Sequence, residues 1–164
     1  GNLKKPMLGL STDALEYLRG KVGVVLHVAA KVDLTASYSA HREDNFLGTV
    51  EACRVACSLR AKLVHISTTD VFPASNGHDG GIESQPEEED VELFKLPQDV
   101  GKLPSEKHGY ALSKYVAEQV VVQAHKQGLW CCIIRLGIVA GHSKTGFCMA
   151  RDWLPRFFIG VAHT

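Results

Sequence analysis

Three short apolar runs constrain this chain more than any other feature: VGVVLHVAA (22–30), KLVHIS (62–67) and WCCIIRLGIVA (130–140). Each is continuous rather than alternating, the pattern of strands buried on both faces, as in a parallel sheet. Between the first two, SAHREDNFLGTVEACRVACSL carries Phe46, Val50 and Cys53 at helical spacing, which predicts a helix over about 41–59. Between the last two, GYALSKYVAEQVVVQAHKQG places Val116, Val120 and Ala124 on one face and offers Gly128 as a C-terminal stop. The order β–α–β–α–β implies a parallel sheet with right-handed crossovers.

Two features interrupt that rhythm. Residues 73–108 hold glycines, prolines and the acidic run Glu87, Glu88, Glu89 and Asp90, and read as a long surface loop insertion with a solvated acidic face. A doubly wound nucleotide-binding domain normally opens with a strand, a glycine-rich turn and a helix. This chain has no GxGxxG or GxxGxxG, and its GHDGG (77–81) neither follows a strand nor opens a helix.

Bulk properties narrow the function classes. The 164 residues suffice for one domain with a sizeable core. Eighteen basic residues balance eighteen acidic ones, so no global field favours nucleic acid or an anionic membrane. No apolar run approaches the roughly 18 residues of a membrane span. The start, GNLKKPMLGL, lacks the order of a signal peptide. The five cysteines are odd in number and form no CxxC, which reads as reduced thiols in a cytoplasmic protein. The eight histidines are scattered without HxxxH or HExxH, so no metal site is expected.

Candidate chemistry gathers at one edge. Tyr110 and Lys114 stand four residues apart on a predicted helix, a spacing that puts them on one face. A phenol with a pKa near 10 is a poor acid at neutral pH, and a neighbouring ammonium favours its phenolate. The spacing alone is weak, because YxxxK occurs in many helices. Ser67, Thr68 and Thr69 follow a predicted strand, where ligands of parallel sheets gather. A hydroxyl there can donate to a carbonyl oxygen as charge develops on it. The plainer reading is that these residues only cap the strand and open a turn. Ala29 and Ala30 end the first strand in small side chains that admit a flat ligand, or that simply pack tightly.

In sequence order, HVAAKV, NFLGT (45–49), ISTTDVF and YALSK resemble the extended short-chain dehydrogenase/reductases. GNLKKPMLGLS, YSAHREDNFLGTVEACRVA (38–56) and GHSKTGFCMARDWLPRFFIG (141–160) are similar to the thioester reductase branch. That branch comprises terminal reductase domains of polyketide and non-ribosomal peptide synthetases, carboxylic acid reductases and aminoadipate reductase. The resemblance covers nearly the whole chain. It implies an α/β fold, a partial Rossmann-like doubly wound parallel sheet. Residues 1–164 would be the middle portion of one NAD(P)-binding reductase domain, its first β–α–β unit and pyrophosphate cradle lying upstream.

Roles follow from the resemblance residue by residue. Thr68 would polarise the substrate carbonyl, Tyr110 would act as general acid, and Lys114 would hold the nicotinamide ribose and lower the tyrosine's pKa. Ala29, Ala30 and Lys31 would wrap the adenosine side of the cofactor. Asn2, beside Leu3, stands where the family usually has an aspartate near the adenine. Leu136, Gly137 and Ile138 stand near the nicotinamide, with Leu136 in place of a usual proline. The implied cofactor is NADPH, with NADH the second choice. The implied partner is an acyl or peptidyl carrier protein bearing a phosphopantetheine arm, whose thioester is reduced to an aldehyde or on to an alcohol. Two other readings stand beside it: an extended reductase or epimerase for a sugar nucleotide or steroid-like substrate, and a non-catalytic binding domain of the same fold.

Overall fold

All three apolar runs form strands of one parallel sheet in the computed structural model, which describes residues 1–71, 109–149 and 152–162. The strands are β1 (Val24–His27), β2 (Lys62–Thr68) and β3 (Cys131–Leu136), in the order β1-β2-β3. The register sets Val25 beside Leu63, His27 beside His65, and Thr68 beside Leu136. Helix α1 (Thr12–Leu18) precedes β1, and its Ser11 cap accepts a hydrogen bond from the Ala14 N–H at 3.2 Å. Helices α2 (Tyr38–His41) and α3 (Gly48–Leu59) lie between β1 and β2, α4 (Gly109–Lys126) precedes β3, and α5 (Trp153–Ala162) follows it. The result is the Rossmann-like partial fold expected from the sequence. The predicted loop at 73–108 lies outside the described residues.

Three expectations need correction. First, β1 is shorter than the run 22–30, because the chain leaves the sheet after His27 to meet the helix layer. There the Lys31 N–H donates to Asn45 Oδ1 at 2.7 Å, and Asn45 Nδ2 donates back to Lys31 O at 3.0 Å. The run 130–140 likewise stays in the sheet only to Leu136.

Second, the helix predicted over 41–59 is not uniform. Arg42–Leu47 forms a wide π-helical turn between α2 and α3. From α3 the Thr49 hydroxyl donates back to Asn45 O of this turn at 2.7 Å, a side chain competing for a helix carbonyl. Wide turns of this kind recur at functional sites. Helix α4 matches its prediction and ends before Gly128, whose φ of 101° suits glycine.

Third, only one face of the sheet is covered among the described residues. Val25, Leu63, Cys131 and Ile133 pack with Ala52, Cys53, Ala56 and Val121 of α3 and α4. On the opposite face Val24, Leu26 and Ile134 are 50%, 59% and 41% exposed. Leu15 of α1 joins Val55, Leu59 and Ala61 in a second cluster under the N-terminal segment.

Candidate active site

Thr68, Tyr110 and Lys114 come from two elements that meet at the carboxyl ends of the strands. Thr68 is the last residue of β2 and is buried; its Oγ1 accepts from the Asp70 N–H at 3.2 Å. Its neighbour Ser67 is buried with a hydroxyl that has no partner among the described residues. Tyr110 lies in the first turn of α4, half-buried, with its ring 6.0 Å from that of His41. Gly109, just before it, sits directly against the backbone of Ala36, Ser37 and Tyr38, so no side chain fits there. That contact locks the start of α4 to the start of α2.

Lys114 is buried one turn further on. Its ammonium donates to Ile66 O at 2.7 Å and to His65 Nε2 at 3.3 Å. The carbonyl is free for a reason of register. Lys62 N donates to Gly23 O, so alternate residues of β2 turn their backbone groups toward β1. Pairing with β1 ends at His65, which leaves Ile66 O to a side chain. Burial pushes the Lys114 pKa down to about 8, opposed by the Glu118 carboxylate. Glu118, also buried, receives two hydrogen bonds from Arg135 of β3 at 3.0 and 2.8 Å. Helix α4 is thus fastened to β2 by Lys114 and to β3 by Glu118.

The phenol of Tyr110 departs from expectation. Its pKa lies above the usual tyrosine value, first through burial and then through the Asp70 carboxylate. The Lys114 ammonium does not lower it here, because that ammonium is turned onto β2. Lowering would require Lys114 to reorient or another cation to approach.

His27, Asn45, Thr49, His65 and Ser113 all stand within the motifs quoted from the sequence, which gave none of them a role. Asn45 Nδ2 donates to Ser113 Oγ at 2.8 Å, and Ser113 donates to Tyr110 O at 2.6 Å. Asn45 therefore joins the loop at Lys31 to the first turn of α4. A buried asparagine inside an amphipathic helix was the available signal, since that residue type favours caps and turns.

The expected cofactor contacts fall in two places. Ala29, Ala30 and Lys31 follow β1, and Leu136, Gly137 and Ile138 close or follow β3, so all six lie at the carboxyl edge with Tyr110 and Lys114. Leu136 and Ile138 are 40% and 69% exposed. Asn2 and Leu3 belong to the N-terminal turn. Asn2 Oδ1 accepts from the Lys4 N–H at 2.9 Å, and Leu3 packs over Gly48, the first residue of α3.

Two hollows flank the site. One of about 520 Å³ lies beyond β3, lined among others by Val139, His142, Phe147, Met149, Leu154 and Phe158. A larger groove of about 630 Å³ runs between α3 and α4, lined among others by Phe46, Val50, Cys57, Val116, Val120 and Gln123. None of the candidate catalytic side chains lines the larger groove. Its size gives it no claim on the chemistry. All five cysteines are free thiols, and among the described residues no group of His, Cys, Asp and Glu could hold a metal ion. No described helix is long and apolar enough to cross a membrane.

A family model, NAD_binding_4 (male sterility protein), matches residues 1–164. The chain belongs to this family. It is 35% identical over 160 residues to aldehyde reductase lnaA of Aspergillus flavus, covering 97% of this chain and 15% of that protein. It is 36% identical over 159 residues to glycine betaine reductase ATRR of Emericella nidulans, covering 97% of this chain and 12% of that protein. The terminal R domain from the myxalamid PKS-NRPS biosynthetic pathway superposes with a TM-score of 0.76 at 34% identity, covering 98% of this chain and 38% of that one. The chain thus spans about an eighth to a seventh of these two curated relatives and 38% of this R-domain chain. These likenesses bear out the reductase family and the Rossmann-like fold read from the sequence.

Proposed function

We propose that this chain is part of an NADPH-dependent reductase that acts on an acyl thioester held by a carrier protein. The observation that carries the reading is the convergence of Thr68, Tyr110 and Lys114 at the carboxyl edge of a parallel sheet in a family of NAD-binding domains. The likeness to a terminal R domain of a PKS-NRPS pathway supports the carrier-bound substrate. NADPH, rather than NADH, rests on the family resemblance.

The residues fit the nicotinamide and ribose side of such a cofactor. Lys114 keeps one N–H beyond the two used on β2, and Ser67 offers a buried hydroxyl without a partner among the described residues. Ala29, Ala30 and Lys31 on one side, and Leu136, Gly137 and Ile138 on the other, would flank it; Asn2 and Leu3 would sit toward the adenine. When bound, the reduced nicotinamide supplies a hydride to the carbonyl carbon of the thioester.

The chain's own groups would manage charge and protons. Thr68 Oγ1 would donate to the carbonyl oxygen as negative charge develops there. Tyr110 would deliver its phenolic proton to that oxygen, giving a thiohemiacetal. The C–S bond would then break, releasing the aldehyde and the carrier thiol. Lys114 would orient the ribose and offset charge on the tyrosyl oxygen. The hollow beyond β3, with Phe147, Met149 and Phe158 on its walls, offers apolar surface to an acyl or pantetheine chain.

The full-length protein tests this directly. Given NADPH and an acyl-carrier thioester, absorbance at the reduced nicotinamide band should fall and aldehyde or alcohol should appear. Turnover with UDP-sugars alone would move the protein to the sugar-nucleotide reading. Cofactor binding without turnover of either substrate would favour a non-catalytic domain.

A further inference from the structure

Lys114 is not the only residue that fixes its own ammonium. Beneath the site, two histidine rings meet across neighbouring strands, His27 of β1 and His65 of β2, with centres 5.2 Å apart and planes tilted by 39°. Both are buried, His65 completely. Hydrogen bonding fixes their tautomers. The Thr49 hydroxyl spends its proton on Asn45 O, so at its 3.0 Å contact it must accept from His27 Nε2–H. The Lys114 ammonium can only donate, so His65 Nε2 must be an acceptor and the ring proton must sit on Nδ1. That Nδ1–H is buried with no partner among the described residues. A buried donor left unsatisfied is costly, and the contact to Lys114 is what keeps the ring in this tautomer.

We propose that His65 is the positioning residue for Lys114: its neutral Nε2 holds the ammonium on β2, and the His27 ring packed against it, anchored through Thr49 to Asn45, fixes the orientation of that imidazole. The same Asn45 clamps Lys31 and Ser113, so the loop after β1, the π-helical turn and the first turns of α4 share one buried chain of contacts. The groups that act on Lys114 from the packed elements are His65 of β2, His27 of β1 and, on its own helix, Glu118, itself paired with Arg135 of β3. Burial holds both histidines uncharged at neutral pH, His27 at a pKa of about 4 and His65 at about 2. His65 can therefore accept from the ammonium, and neither ring repels it. Removing the acceptor would make the ammonium harder to keep in this pocket.

This rests on the reductase reading, and the test separates the two. In the full-length protein, His65→Leu removes the acceptor, while His65→Gln returns one near the Nε2 position. His65→Leu should weaken NADPH binding about tenfold, the scale of one hydrogen bond to a charged group. It should also move the alkaline limb of kcat/KM to lower pH by about one unit. His65→Gln should recover most of both. Equal losses in the two variants would reduce His65 to a packing residue, and an unchanged alkaline limb in a folded His65→Leu would overturn the proposal. If His65→Leu fails to fold, 15N spectra of the wild-type imidazole decide: an Nδ1–H tautomer with an accepting Nε2 supports it, and an Nε2–H tautomer sinks it. Those spectra do not need turnover. A wild-type protein that binds no NADPH would overturn the reductase reading and leave the His65–Lys114 contact to the spectra alone.

Discussion

The same pair of helices packs on the same sheet face with opposite chemistry at its two ends. Toward the strand beginnings, Ala52, Cys53, Ala56, Val121 and Leu129 close an apolar core around Leu63. Toward the strand ends, the same layer holds His27, Asn45, Thr49, His65, Ser113 and Lys114, all buried and hydrogen-bonded. Burial at the apolar end pushes the Cys53 thiol up to about 12, and at the polar end it pushes Lys114 down to about 8. One physical cause, loss of water, makes the first inert and the second a group poised near working pH. The apolar end supplies stability, and the polar end spends part of it to place a site.

The largest expected effect lies at the polar end. Tyr110→Phe removes one oxygen from a half-buried ring and should leave folding intact. Turnover in the full-length protein should fall by roughly 100- to 10,000-fold, the range for general acid catalysis. NADPH affinity should stay nearly unchanged. Undiminished kcat would remove Tyr110 from the mechanism and break the claim that this end is the reacting one.

The apolar end should answer in stability instead. Leu63 is completely buried at the centre of its cluster. Leu63→Ala should cost about 2–5 kcal/mol of unfolding free energy, transfer and cavity terms together. Below the melting transition, kcat and cofactor affinity should remain near wild type. Denaturant unfolding with parallel kinetics checks this, and a kinetic defect out of proportion to the folded fraction would mean that the two ends are not separable.

The pH response is the next step down, at about tenfold per unit. Lys114 titrates at about 8 in the folded protein, against an ordinary lysine near 10.5. An unfolded chain therefore binds more protons between these values, and stability should rise with pH across that window. Function should move the other way, because above about pH 8 the amine loses the charge that orients the ribose. On the acid side, His27 and His65 resist protonation when folded, so stability should fall as pH drops below about 6.5 toward their folded values. Thermal midpoints and kcat/KM measured over the same pH range should show the alkaline divergence; parallel curves would place Lys114 outside the cofactor's reach.

The apolar end was more legible in the sequence than the polar one. Runs such as KLVHIS and the spacing of Phe46, Val50 and Cys53 report burial directly, because periodicity is a local consequence of which face meets the core. The chemistry at the strand ends could be placed only as far as Thr68, Tyr110 and Lys114. Their partners depend on register and tertiary approach. Nothing local says that β1 stops at His27, that Ile66 O is thereby freed, or that Lys114 turns onto β2 rather than toward Tyr110. The expectation that each strand is covered on both faces failed for a related reason. A continuous apolar run records what a strand can bury, and among the described residues Val24, Leu26 and Ile134 are left largely open to solvent.

The smallest effect should come from a contact that belongs to neither end. Arg54 pairs with Glu51 one turn earlier on α3 at 2.5 Å, with the arginine side chain 63% exposed. The pair resembles a structural tie because Glu51 also accepts from the Met7 N–H at 2.7 Å, holding the N-terminal turn against α3. The two interactions differ in kind. The backbone contact is partly buried and uses the other carboxylate oxygen, Oε2. The arginine contact is open to water on the Arg54 side, where such helix pairs contribute about 0.3–0.5 kcal/mol. Arg54→Ala should therefore shift stability by no more than about 0.5 kcal/mol and leave kinetics unchanged. Glu51→Ala should cost more, since it also leaves the Met7 N–H without its acceptor. Equal losses in the two variants would show that the ion pair itself holds the N-terminal turn, and with it Leu3 over Gly48.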